Sequence, residues 1–255
     1  SGAMLAAMIF IPAFSEQVLG IKSEYAGYWM TPLALAAGIG AAVGGILVDK
    51  RGPVLAVLFS GLVAAIGFFL FPTWIDAKWQ FVIASVIGGV GMGVLLGAPL
   101  NILATEKLEA NKGTALASLS LIRTIGMTIA PTIYAGFIAR GFSEIPTLFK
   151  NDFQGILQQN VQQANLSEQA TAELAQVGSQ FAAGGQFTEE QMMTVIQNIQ
   201  DPTLKEVILN SVNEVTVMAA QNGYGGLFYS AVVIAICIFA IGLILKPIRK
   251  KSLEI

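Results

Sequence analysis

Five long apolar runs constrain the fold of this chain more than any other feature of its sequence. They cover roughly residues 25–48, 54–72, 80–104, 113–139 and 224–246. A helix needs about 20 apolar residues to cross the roughly 30 Å hydrocarbon core of a bilayer, and each run is about that long. In lipid such a run must satisfy its own backbone hydrogen bonds, which a helix does. The sequence therefore predicts an all-α membrane protein.

The first residues indicate the end of a sixth apolar helix. Residues 1–14 are apolar, but they carry no N-cap, no basic flank and no signal-peptide n-region, as expected for a helix cut from a longer one. The predicted organisation is therefore five transmembrane helices in 1–140, an insertion in 141–223, the last transmembrane helix in 224–247 and a basic tail in 248–255.

Composition excludes several classes of function. A net charge of −2 provides no basic field for binding nucleic acid. The sequence contains no histidine, and its one cysteine, Cys237, lies inside an apolar run. These counts exclude internal disulfides, Cys/His metal sites and histidine acid–base catalysis. No nucleophile–base pair and no phosphate-binding loop is evident, so we predict neither an enzyme nor a cofactor or metal site.

Lysine and arginine are distributed unequally between the two ends of the predicted helices. The basic residues on one side are Lys50, Arg51, Lys107, Lys112, Lys246, Arg249, Lys250 and Lys251. The other side has Lys22 and Lys78 in short loops, with Arg140 before a long connection where charge has less influence. Because short cytoplasmic loops carry the excess of basic residues, this pattern predicts a cytoplasmic connection at Lys50–Arg51 and a cytoplasmic C-terminus.

Residues 141–223 interrupt the pattern of spans. The segment has nine acidic and two basic residues, and apolar side chains recur in it at helical spacing. These stripes are Phe149, Phe153, Ile156, Leu157 and Val161; Leu174, Val177 and Phe181; Met192, Met193, Ile196 and Ile199; and Leu204, Val207, Ile208, Val215 and Met218. Residues 188–191 fit a capping box, and Asp201-Pro202 fits an N-cap followed by proline. We predict three or four short amphipathic helices on the outer face; a flexible acidic loop is the alternative.

Two charged residues are candidates for the translocation path or for ion coupling. Arg123 lies ten residues past Gly113, which places it about 15 Å along its helix, near the middle of the membrane. A cation there is costly unless it faces protein, a carboxylate or water, so either a role in transport or a hydrogen bond to backbone carbonyls accounts for it. Glu16 lies near the outer end of the first span, where an interfacial carboxylate is the simpler interpretation.

Glycine and proline recur inside the spans. The positions that we assign to helix packing and bending are Gly89, Gly93, Gly97, Pro99, Gly126 and Pro131. Small residues allow helices to approach closely, and proline permits bending, as is needed wherever membrane helices rock against one another. Static close packing accounts for these residues equally well.

The stretch "GGILVDKRG" places three charged residues in a tight connection between two spans. It resembles the G-x-x-x-D-[RK]-x-G loop motif of the major facilitator superfamily, in its C-terminal-half copy. "GVGMGVLLGAP" followed by "TEKLEANKGTALASLSLIRTIGMTIAP" is similar to the fourteen-helix drug:proton antiporters of the EmrB/QacA type. The matching positions are Gly27, Pro32, Gly113, Ala115, Arg123 and Gly126. The resemblance covers 1–140 and 224–246.

This resemblance implies a fold and a function. The fold would be the six-helix C-terminal bundle of a major facilitator with an extracellular helical insertion before the last helix. Asp49 would latch the cytoplasmic side in the outward-facing state, with Lys50 and Arg51 beside it and Gly45 and Gly52 at close approaches. The protein would export amphipathic or cationic compounds against protons across the bacterial cytoplasmic membrane.

The implied partners are the lipid bilayer, the exported compounds, protons and a missing N-terminal helical half. That half would hold the family's usual proton-coupling carboxylates. Two alternatives stay open: a facilitator of the same fold that exports a lipid or metabolite, and a non-transporting membrane anchor that presents 141–223 to a partner.

Overall fold

The structure is a computed structural model that describes residues 1–106, 111–164, 166–183 and 196–252. The long helices within these ranges are α1 (Gly2–Ile9), α2 (Ile11–Gln17), α3 (Ser23–Arg51), α4 (Pro53–Trp74), α5 (Lys78–Leu96), α6 (Ala98–Thr105), α7 (Lys112–Ser143), α8 (Ile145–Asn151), α9 (Phe153–Gln163), α10 (Glu168–Ala183) and α11 (Pro202–Ser252). The chain forms two compact units: Ser1–Ile138 with Gly223–Ile255, and Ala139–Asn222.

Within the described residues, five helical segments are long and apolar enough to cross a membrane. They are Ser23–Arg51, Pro53–Trp74, Lys78–Thr105, Lys112–Asn151 and Pro202–Leu245. Each contains one of the five apolar runs, so the prediction of five apolar helices is confirmed. The predicted end of a sixth helix is a shorter apolar segment, Gly2–Gln17, which is interrupted at Phe10 ahead of Pro12. Six transmembrane helices stay a prediction.

The predicted span over residues 80–104 consists of two helices. α5 ends at Leu96, Gly97 adopts a non-helical conformation with φ −68° and ψ −139°, and α6 begins at Ala98 with Pro99 in its first turn. Proline cannot donate the backbone hydrogen bond that would continue α5, whereas it is well placed at the start of a helix. The glycine–proline pair therefore divides this span into two helices.

An aromatic cluster joins four helices of the first unit. Its members are Phe14 on α2, Phe68 and Phe71 on α4, Phe81 on α5, and Tyr224 and Phe228 on α11, all of them buried. The ring centroids of Phe71 and Phe228 are 4.5 Å apart, and those of Phe14 and Phe228 are 5.3 Å apart. Stacked and edge-to-face pairs of this kind stabilise beyond the area that they bury.

Tryptophan and tyrosine residues that are exposed or half-buried collect at one end of three helices. Tyr25 and Tyr28 lie at the start of α3, and Trp74 at the end of α4 packs on Trp79 at the start of α5 with centroids 5.3 Å apart. The opposite ends of α3 and α4 meet beside Lys50 and Arg51. Aromatic residues of this type favour the boundary between lipid and water. We therefore expect one membrane surface at the aromatic end.

The last helix is much longer than the sequence analysis predicted. We expected a short helix over 202–221 and a separate span from 224, but α11 runs unbroken from Pro202 to Ser252. Gly223 does not end the helix. A β-carbon added at Gly223 would lie 2.9 Å from the Cα atom of Ile138 on α7. The glycine is thus required by a close helix–helix contact and is tolerated inside the helix at a cost of about 1 kcal/mol.

The second unit has an apolar core of its own. Its buried residues are Phe153, Leu157, Ala170, Ile196, Ile199, Leu204, Val207, Ile208 and Val215. Phe149, Ile156, Val161 and Leu174 pack against this core, so the predicted stripes do meet. The stripe over 149–161 is divided between α8 and α9. Residues 188–191, Met192, Met193 and Lys107 lie outside the described residues, as do the side chains of Val177 and Phe181.

Polar contacts fix the start of α11 in the second unit. The carboxylate of Asp201 accepts hydrogen bonds from the backbone N–H groups of Thr203 and Leu204, at 2.9 and 3.0 Å, and from the hydroxyl of Ser167 at 3.2 Å. Glu173 on α10 accepts the N–H groups of Gln200 and Asp201 at 2.9 and 3.3 Å. Asp201 is therefore the N-cap that the sequence predicts, and Pro202 is the first residue of the helix.

Acid should weaken this cap. The hydrogen bond from the Leu204 N–H is the main reason why the pKa of the Asp201 carboxyl lies below its usual range. The hydrogen bonds from the Thr203 N–H and the Ser167 hydroxyl lower this pKa further. Because the pKa of Asp201 is lower in the folded state than in the unfolded state, the ionised carboxylate stabilises the folded state. This stabilisation is complete above the unfolded-state pKa of about 3.9 and is lost as the pH falls through the folded-state pKa. We expect proteolysis of the second unit to accelerate as the pH falls from about 5 to about 2. Asn caps a helix as well as Asp does but cannot titrate, so Asp201→Asn should reduce the increase in proteolysis rate at low pH. Equal pH profiles for the two proteins would contradict the role of the Asp201 carboxylate.

Candidate functional site

A single glycine connects α3 and α4. Gly52 has φ +87°, its N–H donates to the carbonyl oxygen of Val48 at 2.8 Å, and Pro53 begins α4. A positive φ is readily adopted by glycine and is unfavourable for a residue with a β-carbon. Gly52 therefore ends one helix and allows the next to start at once, which fixes the position of the charged residues just before it.

The three charged side chains at this connection are all exposed and lie in the last turn of α3. Lys50 and Arg51 are favoured there because the C-terminal end of a helix carries partial negative charge. Asp49 is disfavoured for the same reason. In the part of the chain that the structure describes, no cation pairs with the Asp49 carboxylate. Local stability thus accounts for the two basic residues and does not account for Asp49.

The close approach expected at Gly45 is made by its neighbour. Among the described residues, a β-carbon added at Gly45 would meet nothing within 4 Å, whereas one added at Gly44 would lie 2.9 Å from the carbonyl oxygen of Val94 on α5. One residue turns a helix by about 100°, so adjacent glycines face different directions. Gly44 is the packing residue of the motif within the described part of the chain, and a close approach at Gly45 stays a prediction.

Small residues form a continuous seam between α3 and α5. β-carbons added at Gly89 and Gly97 would lie 2.6 Å from the carbonyl oxygen of Leu33 and 3.2 Å from that of Ala41. Between them, Gly93 packs directly on the backbone of Ala37. Both helices advance by four residues from one contact to the next in the same direction, so they run parallel. Backbones this close require glycine at the contact positions.

A second set of contacts completes the seam from the other helix. Gly40 and Gly44 of α3 lie against the backbones of Val90 and Val94 of α5. The sequence analysis selected Gly89, Gly93 and Gly97 but missed Gly40, although its spacing of four residues from Gly44 was visible. The seam makes α3 and α5 a closely joined pair.

Arg123 lies half-buried where α7 packs on α1. A β-carbon added at Gly126 would lie 3.3 Å from the backbone nitrogen of Ala3, and Gly2 faces the carbonyl oxygen of Arg123 itself. The Nε and Nη2 atoms of Arg123 are buried and have no hydrogen-bond partner within the described ranges. The hydrogen bond to a backbone carbonyl that would make Arg123 structural is therefore not formed by those two atoms in the described part of the chain.

Glu16 and Arg123 do not form one site. Arg123 lies beside Gly2, and Glu16 is fourteen residues further along α1 and α2, or roughly 20 Å at about 1.5 Å per residue. Glu16 is half-buried, and the adjacent Gln17 accepts a hydrogen bond from the hydroxyl of Tyr224 at 3.1 Å.

Pro131 lies inside α7, which continues past it to Ser143.

Residues 1–143, more than half of the chain, match the sequence profile of the Major Facilitator Superfamily. The chain belongs to this superfamily. Members of the family are membrane transporters and not enzymes, and the five helices of span length agree with a multi-pass membrane protein.

Three relatives illustrate the match to this superfamily. The chain is 45% identical over 240 residues to the uncharacterized MFS-type transporter YfiU of Bacillus subtilis, covering 94% of this chain and 43% of YfiU. It is 30% identical over 140 residues to multidrug resistance protein 3 of Bacillus subtilis, covering 52% of this chain and 26% of that protein. It is 29% identical over 139 residues to a triacylglyceride transporter of Mycolicibacterium smegmatis, covering 50% of this chain and 25% of that protein. The chain thus spans less than half the length of each of these relatives.

Proposed function

We propose that this chain is the C-terminal half of a proton-coupled exporter of amphipathic or cationic compounds that works by alternating access. Its place would be the bacterial cytoplasmic membrane, with the C-terminus and the α3–α4 connection on the cytoplasmic side. Superfamily membership, a relative named for multidrug resistance and the 43% coverage of YfiU support this proposal. An N-terminal helical half of the same protein would complete the cargo cavity.

The position of Asp49 carries the proposal. A carboxylate at the C-terminal end of α3 is unfavourable because the helix dipole makes that end partly negative. The cost to stability is about 0.3–1 kcal/mol at an exposed site. It is exposed and without a cation partner in the described part of the chain. A contact that forms in one state and breaks in the other explains such a residue, because it biases the equilibrium between the states. We assign its partner to the other half of the protein, on the cytoplasmic side.

Asp49→Asn in the full-length protein tests this role. We expect unchanged accumulation in the membrane, because an exposed carboxylate contributes little to stability, together with reduced efflux of cationic dyes from cells. The matched control is Asp76→Asn, which alters an exposed carboxylate at the α4–α5 connection, at the other end of the helices. Equal efflux by both variants would show that Asp49 has no role in transport and is only a solvated residue of the α3–α4 connection.

Lipid export is a second candidate, and the triacylglyceride transporter among the relatives favours it. The two candidates differ in what the protein moves, not in its fold or in the role of Asp49. Transport of a fluorescent acylglycerol that is unaffected by excess ethidium would favour lipid export. A non-transporting anchor for residues 141–223 would move neither compound.

A further inference from the structure

Helix α7 is the least buried of the span-length helices, and it has three distinct faces. Successive residues lie about 100° apart around a helix, so residues three or four apart share a face. The first face, which packs on the rest of the unit, consists of Arg123, Gly126, Ala130 and Tyr134. The second is exposed and apolar and consists of Ile122, Ile125, Ile129 and Ile133. The second face has the composition expected of a surface in contact with lipid.

The third face carries a row of hydroxyl groups. Ser120, Thr124, Thr128 and Thr132 follow one another at intervals of four residues, and all four are exposed. The row extends over about 18 Å, more than half of the hydrocarbon thickness. Leu121 lies among them and is 61% exposed. The exposed residues of α4, by contrast, are four apolar residues, Phe59, Leu62, Ile66 and Phe69, and one hydroxyl residue, Thr73.

Hydrogen bonding gives this row a definite chemical character. The hydroxyl of Thr124 donates to the carbonyl oxygen of Ser120 at 3.0 Å, and the hydroxyl of Thr128 donates to that of Thr124 at 2.9 Å. The hydroxyl protons of Thr124 and Thr128 are thus used within the helix, which leaves the lone pairs of these two oxygens free to accept. The row offers acceptors of hydrogen bonds. Lipid tails contain no donors for them, whereas a cargo with N–H groups does.

We propose that the row Ser120–Thr124–Thr128–Thr132 faces the transport path and accepts hydrogen bonds from amphipathic organic cations that carry N–H donors. Leu121 supplies apolar contact for the rest of such a molecule. A surface of acceptors complements a cation and does not complement an anion. This inference rests on the proposed export of cationic compounds for its cargo, but the exposure of the row to water can be measured separately.

Cysteine accessibility tests the water exposure. In a full-length protein freed of other cysteines, including Cys237, we would place single cysteines by Thr124→Cys, Thr128→Cys, Ile122→Cys and Ile129→Cys. Because thiolates form in water and not in hydrocarbon, we expect a charged methanethiosulfonate reagent to label positions 124 and 128 at least about tenfold faster than 122 and 129. Ethidium should slow labelling at 124 and 128. Equally slow labelling at all four positions would overturn the inference, whatever the protein exports.

A pair of dyes tests the acceptor role. Ethidium carries amino donors, and tetraphenylphosphonium is a cation without donors. We expect Thr124→Val and Thr128→Val to weaken ethidium efflux by about 3- to 10-fold and to leave tetraphenylphosphonium efflux unchanged, since each removes one hydrogen bond. Thr124→Ser and Thr128→Ser keep the acceptor and should retain both activities. Equal loss for both dyes, or no loss for either, would contradict an acceptor role.

Discussion

Gly93→Val should abolish accumulation of the full-length protein in the membrane. Gly93 lies against the backbone of Ala37 in the centre of the α3–α5 seam, where neither helix has a flexible side chain that could move aside. Overpacking a well-packed core costs about 1–3 kcal/mol when side chains can adjust, and a collision with backbone must separate the helices. The contacts at Gly89 and Gly97 would open with it, so we expect this to be the largest effect of any substitution discussed.

Gly38→Val is the matched control for this prediction. Gly38 also lies on α3, and a β-carbon added there would meet no atom of the described ranges within 4 Å. Both variants add the same side chain to a membrane helix, so only the seam distinguishes them. Size-exclusion profiles and thermal unfolding of a fluorescent fusion provide the measurement. A Gly93→Val protein that is as abundant and as heat-stable as Gly38→Val would show that α3 and α5 are not closely packed.

Arg123→Met should inactivate transport without destabilising the protein. The Nε and Nη2 atoms of Arg123 are buried and unpartnered in the described part of the chain, so methionine removes no hydrogen bond made by those atoms there. A buried charge without a partner is costly, so replacing it by an apolar side chain of similar length removes that cost. We therefore expect an unchanged or higher unfolding temperature.

The loss of transport should be large. If Arg123 supplies a charge to coupling or to the cargo path, its removal forfeits an interaction worth about 1.5–3 kcal/mol, or at least roughly tenfold in efflux. Arg123→Lys keeps the charge but changes its geometry, so we expect normal accumulation with an altered pH dependence of efflux. A lower unfolding temperature of Arg123→Met with unchanged dye efflux would make Arg123 a structural residue.

The features that could be predicted from the sequence are those that depend on neighbouring residues along the chain. Apolar runs identified the five span-length helices, and Asp201-Pro202 identified the start of α11 with its hydrogen bonds. Proline affected the predicted spans in two different ways. A helix ends before Pro99, where Gly97 adopts a non-helical conformation, and α7 continues through Pro131, which follows Ala130. A glycine close before the proline made the break possible.

The features that could not be predicted depend on what a residue meets across the fold. Gly44 and Gly45 are equivalent in the sequence, and only the position of α5 shows that Gly44 is in contact. Gly223 looks like a break until Ile138 is placed beside it. For the same reason Arg123 and Glu16, both selected for their charge, could be separated only once the register of α1 against α7 was known.

We propose that the full-length protein exports cations in exchange for protons. The most direct measurement uses purified full-length protein in liposomes that contain a pH-sensitive dye, with an imposed pH gradient as the energy source. The account predicts ethidium movement that requires the gradient, proton movement in the opposite direction that requires ethidium, and loss of both in Asp49→Asn and Arg123→Met but not in Asp76→Asn. Ethidium movement that is unchanged after the gradient is collapsed, or no ethidium movement in a well-folded preparation, would contradict it.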